Sequence, residues 1–473
     1  MNSFWVVDLG LRLPLSESAS QTLRSKPTMA ISAVCSRWQR NALSMPVIWS
    51  QILLYWNRHD NWEDEDMEIF FPLFNFLSQS QQHPLTILLK LKEDPFAFEE
   101  KLHPLIVQLF GQMARWQYLS WQSPEYSRFE FLEFGGKPAA ALFPALRTLC
   151  IPRCVEYLTR FMETSLNLQV LSLPDGDIRY LQGFNSLLLS HLDFDCVLDH
   201  TVNLSDRFPN LVSLGVPESS PSGYLSNYME FSSSSKLEIL TVHHGDRWYY
   251  HPCNQPDSSN SVFPLLRLPS LKMLHLKKYK SREKYKSRKT DDGTDNKPWG
   301  NLDPFIVFVQ QSSFQLTMLS IQQLSISDAN LVYILVHMPT LQDLTVDDSG
   351  TESPKCSPIS SEFIESLHGS CTSSLRRQTA LLVPRLHSLK LLNVATSVND
   401  LSVVDMVWSR WCPTKLHAVG TSAFEADCLR VFTSTFLNRS ETEAGRDVYS
   451  MLDPIEREGM MIVIQMSGVT LRD

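Results

Sequence analysis

A six-residue hydrophobic pattern, L-x-x-L-x-L with conservative replacements, recurs nine times along this chain of 473 residues. Its fourth and sixth positions are two residues apart, which is the spacing that places side chains on one face of a β-strand. We therefore expect each hexamer to form a short strand whose apolar residues point inward. The nine hexamers occupy residues 146–151, 168–173, 189–194, 211–216, 237–242, 271–276, 316–321, 341–346 and 386–391.

Apolar segments with helical spacing lie between several hexamers. In residues 328–337 and just beyond, Leu331, Ile334, Leu335 and Met338 would fall on one helical face. Residues 155–161 and 303–311 are similar segments. One strand and one helix cannot bury their own apolar face, whereas stacked units can. The steps between hexamers run from 21 to 45 residues, several of them within the range of about 20–29 typical of leucine-rich repeats. The pattern predicts an α/β fold, an irregular, horseshoe-like leucine-rich-repeat solenoid.

We expect this solenoid to span residues 116–420. The weaker unit Trp116-x-x-Leu119-x-Trp121 would begin it, and a basic insertion would occupy residues 277–297. Residues 421–473 would form a C-terminal cap, with a late helix at 403–411 before it and a last strand at 460–465. The alternative is a generic α/β domain with leucine-rich parallel strands. It stays open because the Asn or Cys that usually follows the repeat strand is present as Cys154 but mostly absent later.

An amphipathic helix and a second apolar segment precede the repeats. Ile31, Val34, Cys35, Trp38 and Ala42 form an apolar stripe at helical spacing, and a proline ends that helix. The segment resembles the fungal-type F-box-like family, whose signature is V-C-x-x-W-x-x-x-A-x-x-x-P-x-x-W. The residues that match this signature are Val34, Cys35, Trp38, Ala42, Pro46 and Trp49.

The resemblance implies a small all-helical F-box-like module at residues 28–60. A divergent segment (1–27) would precede it, and a linker with the first cap elements (61–115) would follow. F-box proteins bind the Skp-type adaptor of cullin–RING ubiquitin ligases through the box and hold a protein substrate on C-terminal repeats. By this resemblance, the adaptor-binding residues are Val34, Cys35, Trp38, Pro46 and Trp49.

One part of the F-box is not matched. The family's first helix begins L-P-x-E-hydrophobic, whereas this chain has Leu13-Pro14-Leu15-Ser16-Glu17 followed by a polar segment. The alternative is that residues 28–54 cap the first apolar face of the repeats, as repeat arrays require. The protein would then be a non-catalytic interaction scaffold that has lost adaptor binding.

The outward positions of the strands are the candidate substrate-binding residues on the concave face. Their charges are mixed, and the formal net charge is −9, so a protein ligand is favoured over nucleic acid. These residues are His191, Asp193, Asp195, Thr241, His243, His275, Lys277, Asp343, Thr345 and Asp347.

Two loop segments offer further chemistry. The first holds several metal-binding residue types, but their spacing matches no zinc motif. Three aromatic residues in the same segment favour a role in binding. Its members are His243, His244, Asp246, Trp248, Tyr249, Tyr250, His251 and Cys253. The second, residues 277–289, is strongly basic and predicts a solvated insertion, with a nuclear import signal or a contact with an anionic partner as the alternatives.

Motifs of catalysis are missing from the sequence. It contains no G-x-S-x-G, H-E-x-x-H, P-loop or G-x-G-x-x-G motif, and no apolar stretch of the roughly 20 residues that a membrane span needs. We therefore expect a non-enzymatic binding protein without metal or cofactor, in the cytoplasm or the nucleus.

Overall fold

The protein, in a computed structural model, forms two compact units, Met1–Leu211 and Val212–Asp473. The two units share an α/β construction from parallel strands and helices, and each is described by itself. The structure describes residues 11–13, 35–56, 67–91, 108–122, 143–151, 165–173, 181, 184, 186–194, 204–218, 236–244, 261–278, 299, 302–349, 357–369, 381–394, 398–411, 427–437 and 448–467.

The first unit contains a sheet in which each strand pairs in parallel with the next one along the chain. Its strands are β1 (Leu11–Leu13), β2 (Gln51–Trp56), β3 (Leu85–Leu91), β4 (Trp116–Gln122), β5 (Thr148–Cys150), β6 (Val170–Leu173) and β7 (His191–Phe194). Its helices are α1 (Ser36–Leu43), α2 (Met67–Gln79) and the short α3 (Leu204–Arg207), with 3₁₀ turns at Pro46–Trp49 and Met113–Arg115.

The second unit repeats this construction. Its strands are β8 (Ser213–Pro217), β9 (Ile239–His244), β10 (Met273–Lys278), β11 (Met318–Gln322), β12 (Asp343–Asp347), β13 (Ser388–Val394), β14 (Val431–Leu437) and β15 (Met461–Ser467). Its helices are α4 (Asp303–Ser312), α5 (Asp328–Val336), α6 (Ser361–Ser366), α7 (Asp400–Trp411) and α8 (Asp453–Arg457), with a 3₁₀ turn at Phe263–Leu265.

The hexamers form the inward faces of these strands, as predicted. In all nine, the first, fourth and sixth residues are at most 4% exposed. The fourth residues also pair with one another from strand to strand, so that Leu240 lies beside Leu274 and Leu274 beside Leu319. Each unit thus buries one continuous row of large aliphatic side chains. Full burial of such a side chain is worth about 1.5–3 kcal/mol, so these rows are a major source of stability.

The predicted helices are confirmed where the structure describes them. α4, α5 and α7 cover the segments at 303–311, 328–337 and 403–411. The serine at position 327 caps α5, because its hydroxyl accepts a hydrogen bond from the backbone N–H of Asn330 at 3.2 Å. The last strand, predicted at 460–465, is β15. The segment at 155–161 lies outside the described residues.

The parallel strands extend further along the chain than the hexamers indicated. Trp49-x-x-Ile52-x-Leu54 stands in the same register, since Ile52 pairs with Ile87 and Ile87 pairs with Leu119. The expectation of an all-helical module at 28–60 is therefore wrong for residues 51–56, which form β2. The segment is a short, nearly continuous apolar run with aromatic residues, a composition that suits a strand, and the neighbouring strands β1 and β3 supply its backbone hydrogen bonds.

Strand β14 has an unusual residue at the sixth position of the hexamer register. Ser434 pairs with Leu391 and is fully buried, and its hydroxyl has no hydrogen-bond partner within the described part of the chain. A buried hydroxyl without a partner costs free energy, which the other strands avoid with an apolar side chain. This position is consequently a local weakness of the second unit.

Replacing Ser434 by alanine should therefore raise the free energy of unfolding, by about 1 kcal/mol, because an unpaired hydroxyl leaves the core. The matched control is the buried Ser312, whose hydroxyl accepts from the N–H of Leu268 at 3.2 Å and donates to the carbonyl of Leu266 at 3.4 Å. Ser312→Ala should lower the same free energy by about 1–2 kcal/mol. Urea unfolding measures the change in the free energy of unfolding for both variants. A decrease in Ser434→Ala as well as in Ser312→Ala would contradict the claim that the Ser434 hydroxyl destabilises the core.

Candidate protein-binding surface

The side chains between the buried hexamer positions form a second, outward face of each sheet. In the second unit this outward face holds seven of the ten predicted substrate-binding residues. Strands β9 and β10 bring four of them together, because Thr241 pairs with His275 and His243 pairs with Lys277. Paired residues on adjacent strands lie about 4.8 Å apart, close enough for one ligand to contact several of them.

Strand β12 supplies the other three predicted residues of this face. Asp343, Thr345 and Asp347 alternate along it as half-buried side chains. Strand β11 separates them from β10, so that Ser320 lies between His275 and Thr345, and Gln322 between Lys277 and Asp347. The predicted residues therefore form two groups, joined by a polar pair that the sequence analysis did not select.

Hydrogen bonds hold parts of this face in place. The Gln322 amide donates to the Ser320 hydroxyl at 3.2 Å. The Asp347 carboxylate accepts from the Asn393 amide at 2.7 Å and from the backbone N–H of Ser349 at 2.9 Å. Asn393 has the left-handed backbone conformation (φ 61°) that asparagine tolerates better than most residues. One carboxylate is thus fixed at the exit of β12, while Lys277 offers a cation two strands away.

His275 lies at the centre of this face and is uncharged at neutral pH. Burial, and to a smaller extent the nearby charge of Lys277, lower the pKa of its imidazole to about 4. Its Nε2 atom is buried and has no hydrogen-bond partner among the described residues. A neutral imidazole cannot form an ion pair, so this ring suits polar or packing contacts with a ligand better than ion pairing.

The depressed pKa of His275 predicts that stability decreases in acid. An ordinary histidine of the unfolded chain titrates at about 6.5, so between pH values of about 6.5 and 4 the unfolded state binds more protons than the folded state. Stability should fall as the pH drops through this window. His275→Gln should reduce that fall, as measured by the urea midpoint at several pH values. Thr345→Ser removes no titratable group, so its stability should fall with pH as that of the unmodified chain does. If His275→Gln loses as much stability in acid as the unmodified chain, the pH dependence does not come from His275.

The first unit has an outward face of its own on strands β4 to β7. His191 and Asp193 lie on β7, and Asp193 pairs with Ser172 of β6, whose hydroxyl donates to its carboxylate at 3.4 Å. Asp195, the third residue predicted here, lies outside the described residues. Burial lowers the pKa of His191, so that this ring is also neutral at neutral pH.

A cysteine continues this face toward the N-terminus. Cys150 pairs with Ser172 on one side and with Ser120 on the other. Burial raises the pKa of its thiol, Asp193 raises it further, and the two serine hydroxyls oppose the change. Burial likewise raises the pKa of Tyr118, on the adjoining strand. A thiol that keeps its proton is a weak nucleophile, so this face favours hydrogen bonding over covalent chemistry.

The predicted histidine-rich segment begins in a structural cluster at the exit of β9. The ring of His244 contacts the Glu218 carboxylate through Nδ1, and Trp299 donates to the other oxygen of that carboxylate at 2.8 Å. Glu218 therefore joins two strand exits to the buried indole that packs on Phe263 and Phe305. The remaining members, Asp246, Trp248, Tyr249, Tyr250, His251 and Cys253, lie outside the described residues, as does 279–297 of the basic insertion.

The predicted adaptor-binding residues separate into exposed and buried ones. Cys35, just before α1, and Trp38, on α1, are exposed, and Pro46 is half-buried at the start of the following 3₁₀ turn. Trp49 is 3% exposed, and its indole donates to the carbonyl of Ala42 at 2.8 Å. Val34 lies outside the described residues.

The structure adds that this segment exposes several large apolar side chains. Trp38 is 52% exposed, and three further large apolar side chains of the same segment are exposed beside it in the sequence. We call this set the N-terminal apolar patch: Trp38, Leu43, Met45 and Val47. Concentration of exposed apolar side chains in so short a segment is typical of a protein-interaction site.

The sequence analysis missed several residues of the two outward faces. A signal existed for them, because each occupies an outward position of the same hexamer register as the residues selected. They are small or uncharged side chains with no distinctive spacing, so the sequence alone does not mark them as binding residues. The missed residues are Tyr118, Ser120, Cys150, Ser172, Ser320 and Gln322.

Comparison with known proteins found no match: no protein-family model matches the chain, and no curated protein matches it. Within the described ranges, no group of three or more His, Cys, Asp or Glu side chains is arranged to hold a metal ion. None of the helices described is long and apolar enough to cross a membrane. The fold and the two outward faces define an α/β protein with parallel strands, and they form the basis of the proposal below.

Proposed function

We propose that this chain is the substrate-recognition (F-box) subunit of a cullin–RING ubiquitin ligase, a non-enzymatic protein that binds its substrate through leucine-rich repeats. The N-terminal apolar patch is the observation that supports this most directly. It lies on the segment with the F-box-like signature, and Trp38, a residue of that signature, is half in solvent. A Skp-type adaptor would cover this apolar surface.

The repeated strands support the second half of the proposal. A leucine-rich-repeat solenoid has one strand and one connecting helical segment per unit, with buried leucines in register, and the described strands follow this pattern. The outward face of the second unit combines Lys277, the neutral His275 and two aspartates. Such mixed polar character suits a folded or extended protein substrate. This function would place the chain in the cytoplasm or the nucleus.

A second candidate is an interaction scaffold that uses the same outward faces but no adaptor. The burial of Trp49 favours it, because packing alone explains this residue of the F-box-like signature. Trp49 occupies the first hexamer position before β2 and contacts Phe76 of α2 edge to face, with ring centroids 5.0 Å apart. The two candidates differ in whether Trp38 contacts a partner.

Binding of the purified chain to a purified Skp-type adaptor tests the proposal. We expect Trp38→Ala to weaken binding by about tenfold or more, because aromatic residues in exposed apolar patches contribute most of the energy of such interfaces. Phe74→Ala is the matched control, since Phe74 is an aromatic residue of α2 that is 58% exposed and lies outside the patch. It should leave binding unchanged.

The result that would overturn the adaptor proposal is an unmodified chain that is folded but does not bind. The scaffold would then be the better description, and the outward faces would be tested with candidate protein ligands. Equal losses in Trp38→Ala and Phe74→Ala would also contradict a specific role for the patch.

A further inference from the structure

Strand β15 is the last of the described strands of the second unit, and its inward face is less covered than that of the strands before it. Ile462 and Ile464 occupy the fourth and sixth hexamer positions, since they pair with Phe432 and Ser434 of β14. Both isoleucines are half-buried, whereas Phe432 is fully buried. Met461, at the start of the strand, is 58% exposed. Apolar side chains therefore meet solvent along this strand.

The edge of β15 opposite β14 carries backbone N–H groups that could pair with another strand. The N–H of Met461 donates to the carbonyl of Arg430 at 2.9 Å, so the odd-numbered residues direct their amides toward β14. Because amides alternate along a strand, the N–H groups of Ile462, Ile464 and Met466 point to the opposite edge. No strand among the described residues pairs with that edge. Such an edge, uncharged and free of proline, is a template for another strand.

The order of residues in β15 fits a second copy of itself. The strand is Met-Ile-Val-Ile-Gln-Met-Ser, with no charged residue, and its midpoint is Ile464. Antiparallel pairing about this midpoint would use all seven residues. It would place Ile464 opposite its counterpart and Ile462 opposite Met466, so that every inward pair is apolar. A two-fold axis requires this kind of self-complementary contact.

We propose that two copies of this protein associate through antiparallel pairing of their β15 strands, centred on Ile464. The pairing joins the sheets of two second units and covers the half-buried isoleucines. Charge repulsion does not oppose it, because the strand carries no charged side chain. A charged or proline-containing strand would have blocked the same contact.

Sedimentation velocity of the full chain over a wide micromolar range tests this pairing. We expect a concentration-dependent dimer, and Ile464→Pro should raise its dissociation constant by about tenfold or more, since proline removes an edge N–H and its ring obstructs the partner strand. The substitution spares the amides directed at β14, so circular dichroism should stay that of the parent. An unmodified chain that stays monomeric throughout this range would overturn the proposal.

Cysteine cross-linking provides an independent test if Ile464→Pro folds poorly. In the proposed register the two residues at 464 are directly opposite, about 5.5 Å apart between Cα atoms, which a disulfide can span. Ile464→Cys should therefore form a disulfide-linked dimer under mild oxidation. Gln465→Cys should not, since residue 465 faces residue 463 of the other copy. Equal cross-linking of both variants, or none above the parent chain's own background, would refute the register.

Discussion

Arg410→Ala is expected to reduce the free energy of unfolding of the second unit by about 3–5 kcal/mol, among the largest effects of any single substitution in the protein. Arg410 lies on α7 and is 1% exposed. Its guanidinium donates to the carbonyl oxygens of Leu367, Val383 and Leu382 at 2.5–3.1 Å. Removing it would take this donor from the carbonyls of Leu367 and Leu382 and would open a cavity between three chain segments.

The position of those carbonyls explains why arginine is needed. Leu367 ends α6, where the last carbonyls of a helix have no partner within the helix. Val383 has a left-handed backbone (φ 43°), a conformation that is strained for a β-branched residue. The planar fork of guanidinium donors reaches both segments at once, which a lysine ammonium cannot reproduce.

Thermal or urea unfolding measures the effect, with two comparison variants. Arg410→Lys should recover only a minor part of the loss, because one ammonium cannot satisfy the same set of carbonyls. Arg430→Ala removes an exposed arginine from the same unit and should change the free energy of unfolding by no more than about 0.5 kcal/mol. Similar stability of Arg410→Ala and Arg430→Ala would show that the buried fork is not a stabilising element.

Trp49→Ala is expected to cost the first unit about 3–5 kcal/mol, as is usual when a large buried aromatic side chain is truncated. The indole packs edge to face on Phe76, with an interplanar angle of 69°, and donates to the carbonyl of Ala42. It thereby joins α1, α2 and the strand β2 in one core. Alanine would remove this packing and the hydrogen bond from the indole to the carbonyl of Ala42.

Trp38→Ala is the matched variant for this prediction, because it removes the same side chain type from the same segment. Trp38 is exposed, so we expect a change of no more than about 1 kcal/mol in the free energy of unfolding. Urea unfolding monitored by circular dichroism compares the two. A larger loss in Trp38→Ala than in Trp49→Ala would contradict the burial described above. The comparison also shows which variant can test adaptor binding without disturbing the fold.

The sequence predicted those residues of the candidate site whose positions follow from the two-residue alternation of side chains along a strand. Thr241, His275 and Thr345 were selected as outward residues, and the structure places them in one row across the sheet, with Ser320 between the last two. A period of two is a local property of the backbone, so the sequence alone separates inward from outward residues. Which of the outward residues are neighbours depends on strand order and register, and a sequence does not display these directly.

The hexamers themselves determined the inward rows of this protein. Alternating apolar residues can be buried only on one face of a strand, and Leu274, Leu319 and Leu344 are buried in register, as their spacing required. Two tryptophans of one signature show the limit of this reasoning, since Trp38 is exposed and Trp49 is buried. Both are apolar in sequence, and Trp49 is buried where it leads into β2 and packs on Phe76 of a helix that lies later in the chain. Arg410 was equally hidden, because the carbonyls that it binds come together only when the chain is folded. Backbone geometry fixes the alternation of side chains along a strand, whereas tertiary packing decides which side chains are buried and which distant segments contact each other.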